Sequence, residues 1–355
     1  MYRFKLPSWP LALFAIALLF PLFPVFDERF FNITGRSIGD QLPGLFIFAI
    51  LAFALNVVVG YTGVLHLGIA AFFGIGAYVV GIVTTPSYPF QINVWLAIIL
   101  AGILSALVGV LIGIPSLRLR GDYLALVTLG FGEVVRFSIK NLEPITAGSD
   151  GLSPLPPPRM PFTNWDWATD FRPFYYATLL TLAAVYYILS RLEQSKLGRA
   201  WVAVREDELA ATCMGLNAGR LKLAAFGLSA GIAGLAGGLY ATKMTSTVGP
   251  DAYDFNRSVF VLCCLILGGL ANRNGVLLGV ILLYGFDNIV APMLDQSIQE
   301  LSIRFRGESV SKVYQTFSGW RLMLFGIVLI LVMRFRPAGL LPSDRVRDEK
   351  NFATN

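Results

Sequence analysis

Long apolar runs separated by short polar stretches dominate this chain. Runs near the length that crosses a hydrocarbon core as a helix, roughly 20 residues, fall at 9–26, 42–61, 63–83, 93–114, 122–140, 173–190, 223–242, 257–272, 275–293 and 320–335. The pattern predicts an all-α, polytopic membrane helix bundle of about ten transmembrane helices, with residues 1–350 forming a single domain. Two longer polar stretches interrupt it. Residues 141–172 contain Pro156, Pro157 and Pro158, which deny regular helix, and Trp165 and Trp167, which suit a headgroup belt. Residues 191–222 are charged and contain good helix formers from Val204 to Met214, followed by Gly215 and Asn217. That reads as a short helix outside the bilayer, a turn, and re-entry near Leu221. No strong internal repeat is visible, and no stretch can hold a soluble domain of enzyme size.

Composition agrees. Of 355 residues, 55% are hydrophobic and 14% charged, against about a quarter charged in soluble domains. Placement of charge sets orientation. Arg118, Arg120, Arg273, Arg334 and Arg336 lie at ends of spans that share one side when the N-terminus starts inside, as the excess of Lys and Arg in cytoplasmic loops requires. Both termini and 191–222 then face the cytoplasm, and 141–172 faces outward. The run from Leu11 to Phe23 is followed by no small-x-small cleavage pattern, so it reads as a retained first helix. No basic patch interleaves with exposed aromatics, which excludes nucleic acid as a partner; the partner surface is membrane lipid.

Candidate chemistry is sparse. Cys213, Cys263 and Cys264 suggest no disulfide framework. The single histidine, His66, has no neighbouring cysteines or carboxylates to make a metal site, and a structural or pore-facing role suits it better. There is no nucleophile elbow, no Ser-His-Asp set and no Gly-rich phosphate loop ending in Lys-Ser/Thr. The chain therefore reads as a non-catalytic protein with no metal or cofactor of its own. Any ATP-driven engine must be a separate subunit.

Three segments invite function. Residues 68–78 carry Gly68, Gly74 and Gly76, and glycines so close can open a helix toward a substrate. Residues 117–136 place Asp122 at a helix start and Glu133 three residues before Arg136. Tyr123, Thr128 and Glu133, with Gly74 and Gly76, are the candidate translocation path, against interfacial anchoring and plain packing as the bland alternatives. Intramembrane ionisable groups such as Glu133, Asp287 and His66 also fit an independent ion-coupled transporter or channel. A scaffold without transport is the third class.

The stretch Glu208-Leu209-Ala210-Ala211 followed by Gly215 resembles the cytoplasmic "EAA…G" loop of ABC importer permeases. The segments "GIAAFFGIGAY" (68–78), "LRLRGDYLALVTLGFGEVVR" (117–136), "LILGGLANRNGVLLG" (265–279) and "RPAGLLP" (336–342) resemble the branched-chain amino acid permease family, and its LivM-type subunit in particular. The resemblance covers about 42–342. It implies a permease that shares a membrane core with a second, unlike LivH-type permease. Two ATPase subunits (LivG-type and LivF-type) would carry ATP and Mg, and an extracytoplasmic binding protein would deliver leucine, isoleucine, valine or related amino acids. It further implies a bacterial inner-membrane location and maps Glu208, Ala210, Ala211 and Gly215 to the loop that couples to the ATPase. His66 and the polar "LANRN" at 270–274 depart from the family pattern and bear on the substrate.

Overall fold

The computed structural model describes residues 8–22, 37–89, 91–116, 122–158 and 172–290, and near the C-terminal end 323, 326–327, 330–336 and 339–341. Every regular element there is helical. In chain order the α-helices longer than a single turn are α1 (Ser8–Leu19), α2 (Ile38–Leu55), α3 (Ile69–Thr84), α4 (Val94–Ser116), α5 (Asp122–Asn141), α6 (Arg172–Gln194), α7 (Lys196–Glu206), α8 (Glu208–Cys213), α9 (Ala218–Met244), α10 (Phe255–Gly268) and α11 (Arg273–Gly285). Among the described residues, four helices are long and apolar enough to cross a membrane: α2 with its extension to Tyr61, α4, α6 and α9. Trp165 and Trp167 lie outside the described residues, and the expected span at 320–335 lies partly outside them.

The bundle is organised around α2. That helix is apolar on all sides, and a helix of that kind belongs in the middle of a bundle; from Leu45 to Leu55 its residues are buried, most of them completely. It packs on α6, α9, α10 and α11. Its start is capped by Ser37, whose hydroxyl accepts from the Asp40 amide, and it continues past Leu55 as a π-helical turn, Asn56–Tyr61. Glycines set the closest approach. A Cβ on Gly76 of α3 would lie 2.1 Å from the Gly234 carbonyl oxygen of α9, and one on Gly109 of α4 would lie 2.4 Å from the Ala230 side chain. Small residues let these backbones meet where lipid supplies no hydrophobic drive.

Three expected boundaries shift, and one expected span proves less apolar than its neighbours. The run at 63–83 is not one helix: residues 63–68 are non-helical and α3 starts only at Ile69. The run at 257–272 ends as helix at Gly268, because Gly269 takes φ 122°, a conformation open to glycine. The segment 204–214 is two helices, because Asp207 leaves the helical region and its carboxylate accepts from the amides of Leu209 and Ala210, starting α8 anew. Finally, α5 forms over the expected residues, yet with Glu133, Arg136 and Lys140 it is not one of the four strongly apolar helices.

An internal order emerges that the sequence concealed. A long helix (α2), a break, a short helix (α3) and another helix (α4) recur as α9, a break at 245–254, α10 and α11. The two sets run in opposite directions. The end of α2 lies beside Glu193 and Arg205, whereas the break after α9 lies beside Leu152 and Leu155 at the other end of the bundle. The short helices α3 and α10 meet near their starts, where the Ser258 hydroxyl accepts from the Ala70 amide at 3.1 Å.

Candidate functional site

Two regions gather polar groups that the fold does not need for ordinary helix packing. The first is the tip formed by α7 and α8. Ser195 caps α7, accepting from the Gly198 amide, and Asp207 caps α8. Val204 of α7, Ala211 of α8 and Ala218 at the start of α9 are buried against one another, with Leu216 and Leu221 alongside. Ala211 thus faces inward. Ala210, Leu209 (73% exposed), Met214 (84% exposed) and Gly215 face outward. Gly215 takes φ +85° with open space where a Cβ would stand. Glu208 is fixed from the side by Lys222, Nζ to Oε1 2.8 Å. The sequence-predicted coupling residues are therefore together, with Ala211 as the anchor and Ala210 and Gly215 on the open face.

This tip is wired to the bundle by groups that sequence reasoning missed. The Trp201 indole is 1% exposed; its N–H donates to the Leu221 carbonyl at 2.8 Å and its ring lies parallel to Tyr61. Arg205 donates to the Gly60 carbonyl in the π-helical turn. The Tyr61 hydroxyl donates to Glu193, Glu193 pairs with the buried Arg273 at 3.1 Å, and the Arg273 guanidinium lies over the Tyr186 ring. One signal was present: Trp201 and Val204 lie three apart on the buried face of a charged helix, the spacing of an inward stripe.

The second region is the break at 62–68. Here Thr128 of α5, fully buried, accepts from the Leu67 amide at 3.1 Å and donates to the Ala125 carbonyl. His66 stands between Phe72 of α3 and Phe226 of α9, with ring centroids 5.7 and 5.2 Å away. Of the other candidate path residues, Glu133 pairs with Arg136 at 2.9 Å, and Arg136 also reaches Asp251 at 2.8 Å. Tyr123 is 72% exposed. Gly74 receives the Tyr253 ring and Gly76 the Gly234 backbone, so both lie in helix contacts. Thr128 is thus at the break, Glu133 is on the same helix in an ion-pair group, and the two glycines sit on the packed side of α3. Asp287 lies in the π-helical turn Phe286–Val290 after α11, outside both regions.

A separate cavity of about 500 Å³ lies between α1, α2, α6 and α11, lined by Leu13, Phe14, Leu45, Leu182 and Phe286. Its wall is apolar and has no groups to orient an amino acid. Among the described residues, no group of three or more His, Cys, Asp or Glu could hold a metal ion.

The described residues form an all-α bundle with long apolar helices and a capped polar tip, and comparison with known sequences supplies the family. The pattern of the branched-chain amino acid transport system / permease component family matches residues 42–333. The chain belongs to this family. Its relatives include the high-affinity branched-chain amino acid transport system permease protein LivM of Salmonella typhimurium, 37% identical over 319 residues. That match covers 84% of this chain and 68% of the relative. The Escherichia coli protein of the same name is 36% identical over the same shares. The probable branched-chain amino acid transport permease protein LivM of Methanocaldococcus jannaschii is 28% identical over 307 residues, 81% of this chain and 84% of that one. No solved structure matches. Both regions described above fall inside the family match, so the break and the tip belong to the permease unit itself.

Proposed function

We propose that this chain is the LivM-type permease subunit of an ATP-driven importer of branched-chain amino acids in the bacterial cytoplasmic membrane. It works beside a second, unlike LivH-type permease. Two ATPases of the LivG and LivF types bind ATP and Mg, and an extracytoplasmic binding protein delivers leucine, isoleucine or valine. Residues 191–222 face the cytoplasm and residues 141–172 face the binding protein, and the permease forms a single domain.

The observation that carries this reading is the tip: Leu209, Ala210, Met214 and Gly215 are exposed on a capped helix whose other face is anchored. Large apolar side chains exposed in a polar segment suit a partner groove. When the ATPases close on ATP, α8 moves with them, and the contacts of α7 with Gly60 and Tyr61 carry the motion to the break before α3. Nucleotide shifts the bundle only by binding one of its states better than the other. The substrate path runs along α5, past Tyr123, Thr128 and Glu133. Gly74 and Gly76 serve it from behind, by letting α3 sit close to Tyr253 and α9.

Mild-detergent purification of the native complex, with identification of each co-purifying chain, tests the assembly. Two ATPases and an unlike permease are expected. A stable, solitary chain that takes up solute with protons would replace the importer with an ion-coupled carrier.

A further inference from the structure

Helix α3 begins inside the bundle, not at its end. Its first turn is met by Ser258 of α10 and, one residue before Gly68, by Thr128 of α5. A helix start carries partial positive charge and unpaired amides. At α10 that charge is answered by Asp254, which accepts from the Arg257 amide. At α3 no carboxylate answers it: the Ala70 amide is taken by the neutral Ser258 hydroxyl, Gly68 at the cap has no side chain to offer, and the first turn holds no acidic residue.

Beside this start lies His66. It is 1% exposed, and neither ring nitrogen meets a hydrogen-bond partner. Its Cε1 comes within 3.5 Å of the point where a Cβ on Gly68 would stand, so the carbon between the two ring nitrogens lies against the start of α3. A neutral imidazole offers one donor and one acceptor, and burying both unmatched destabilises the fold. A position that needed only volume between Phe72 and Phe226 is filled more stably by a hydrocarbon side chain.

We propose that His66 and the first turn of α3 hold the α-carboxylate of the transported amino acid during its passage. The imidazole N–H and the amide end of α3 converge on one anionic group. Broken membrane helices present their starting ends to anionic substrate groups for the same physical reason. Thr128 ties the break to α5, so a shift of α5 opens the site and a return closes it. The proposal rests on the importer reading above and adds to it a place and a chemical group.

With one histidine in the chain, labelling histidine isotopically in this subunit alone gives a single imidazole signal in the reconstituted complex. Leucine labelled at its carboxyl carbon is added with the binding protein and a non-hydrolysable nucleotide. We expect a dipolar contact between that carbon and an imidazole nitrogen, and none with leucinol, which lacks the carboxylate. An imidazole signal indifferent to leucine in a complex that transports leucine overturns the proposal. As a second readout, His66→Phe should lower leucine carried per ATP hydrolysed roughly ten- to hundredfold, the worth of a hydrogen bond to a charged group. Thermal stability should hold or rise, because an unmatched polar group is gone. His66→Gln, which keeps a donor, should fall between. Wild-type transport by His66→Phe overturns the proposal; if that variant does not assemble, the labelled wild-type complex decides. A wild-type complex that carries no branched-chain amino acid instead defeats the importer reading itself.

Discussion

The rings of Trp201 and Tyr61 lie parallel, 6.5 Å between centroids and 3° between planes, although 140 residues separate them. Trp201 belongs to α7, the first helix of the tip, and Tyr61 ends the π-helical extension of the central helix at the break. Offset stacking at this separation is a favoured aromatic geometry, and the Trp201 N–H is held by Leu221, so the indole has little freedom to move independently of its neighbours. Replacing Trp201 with alanine should cost about 3–5 kcal/mol of stability, as for other buried tryptophans. Trp201→Phe should keep most of that stability and lose the hydrogen bond to Leu221. The coupling reading expects this milder variant to hydrolyse more ATP per leucine moved. Thermal unfolding and the transport-to-hydrolysis ratio, measured on the same preparation, check both halves; an unchanged ratio would remove Trp201 from the coupling route.

The Glu193–Arg273 pair gives a sharper stability test. The Arg273 side chain is 7% exposed and that of Glu193 26%. Removing one member of a buried pair leaves the other charge uncompensated, at a cost of about 3–5 kcal/mol, whereas replacing both together is often near neutral. Arg273→Met should therefore melt well below the parent protein, and Glu193→Gln with Arg273→Met should recover most of the loss. The comparison of melting temperatures is decisive, because an additive double variant would mean that the pair contributes nothing as a pair.

At the tip, stability and docking should separate. Asp207→Ala removes the α8 cap and should cost about 1 kcal/mol. Glu208→Lys breaks the contact with Lys222 and places two cations together. Gly215 meets open space, so a bulky residue there clashes with nothing in this chain, although φ +85° strains it. Glu208→Lys and a bulky Gly215 variant should insert normally and fail to stimulate the ATPases. Normal uptake with normal ATPase stimulation in both would end the coupling assignment.

How much of this was legible beforehand follows from where each signal lies. The central helix was plain because its apolar run is uninterrupted. The break after it was not, because Val64, Leu65 and Leu67 continue the apolar pattern through 62–68; only Gly63 and Gly68 bracket it. Asp207 carried a readable cap signature ahead of Glu208 and Leu209, yet the strong helix formers on both sides hid the division. Tyr61, Glu193 and Arg273 come from three distant parts of the chain, and no local periodicity brings them together. The opposed arrangement of α2–α3–α4 and α9–α10–α11 was hidden for a related reason: the two halves share an order of elements, and inspection of the sequence alone finds no repeat.

The glycines divide into those that pack and those that do not, and substitution should tell them apart. Gly76 faces the Gly234 carbonyl, where an added Cβ would stand 2.1 Å from the oxygen and 2.6 Å from the Gly234 Cα. Backbone cannot yield as a side-chain tip can, so Gly76→Ala must push α3 away from α9. Overpacking of this kind costs typically 1–3 kcal/mol and sometimes more, and it should lower both the melting temperature and the yield of assembled complex. Gly130 of α5 has nothing within 4 Å of its Cβ position and lies on an exposed face with Tyr123, Leu126, Val134 and Phe137. Gly130→Ala should leave the isolated subunit as stable or more stable by up to about 1 kcal/mol, because alanine favours helix. Uptake then becomes informative. If Gly130→Ala keeps its stability and loses transport, the open face of α5 meets the substrate or the second permease; if it keeps both, that face meets lipid. A Gly76→Ala variant as stable as the parent would mean that the close contact of α3 and α9 does not set the spacing of the bundle.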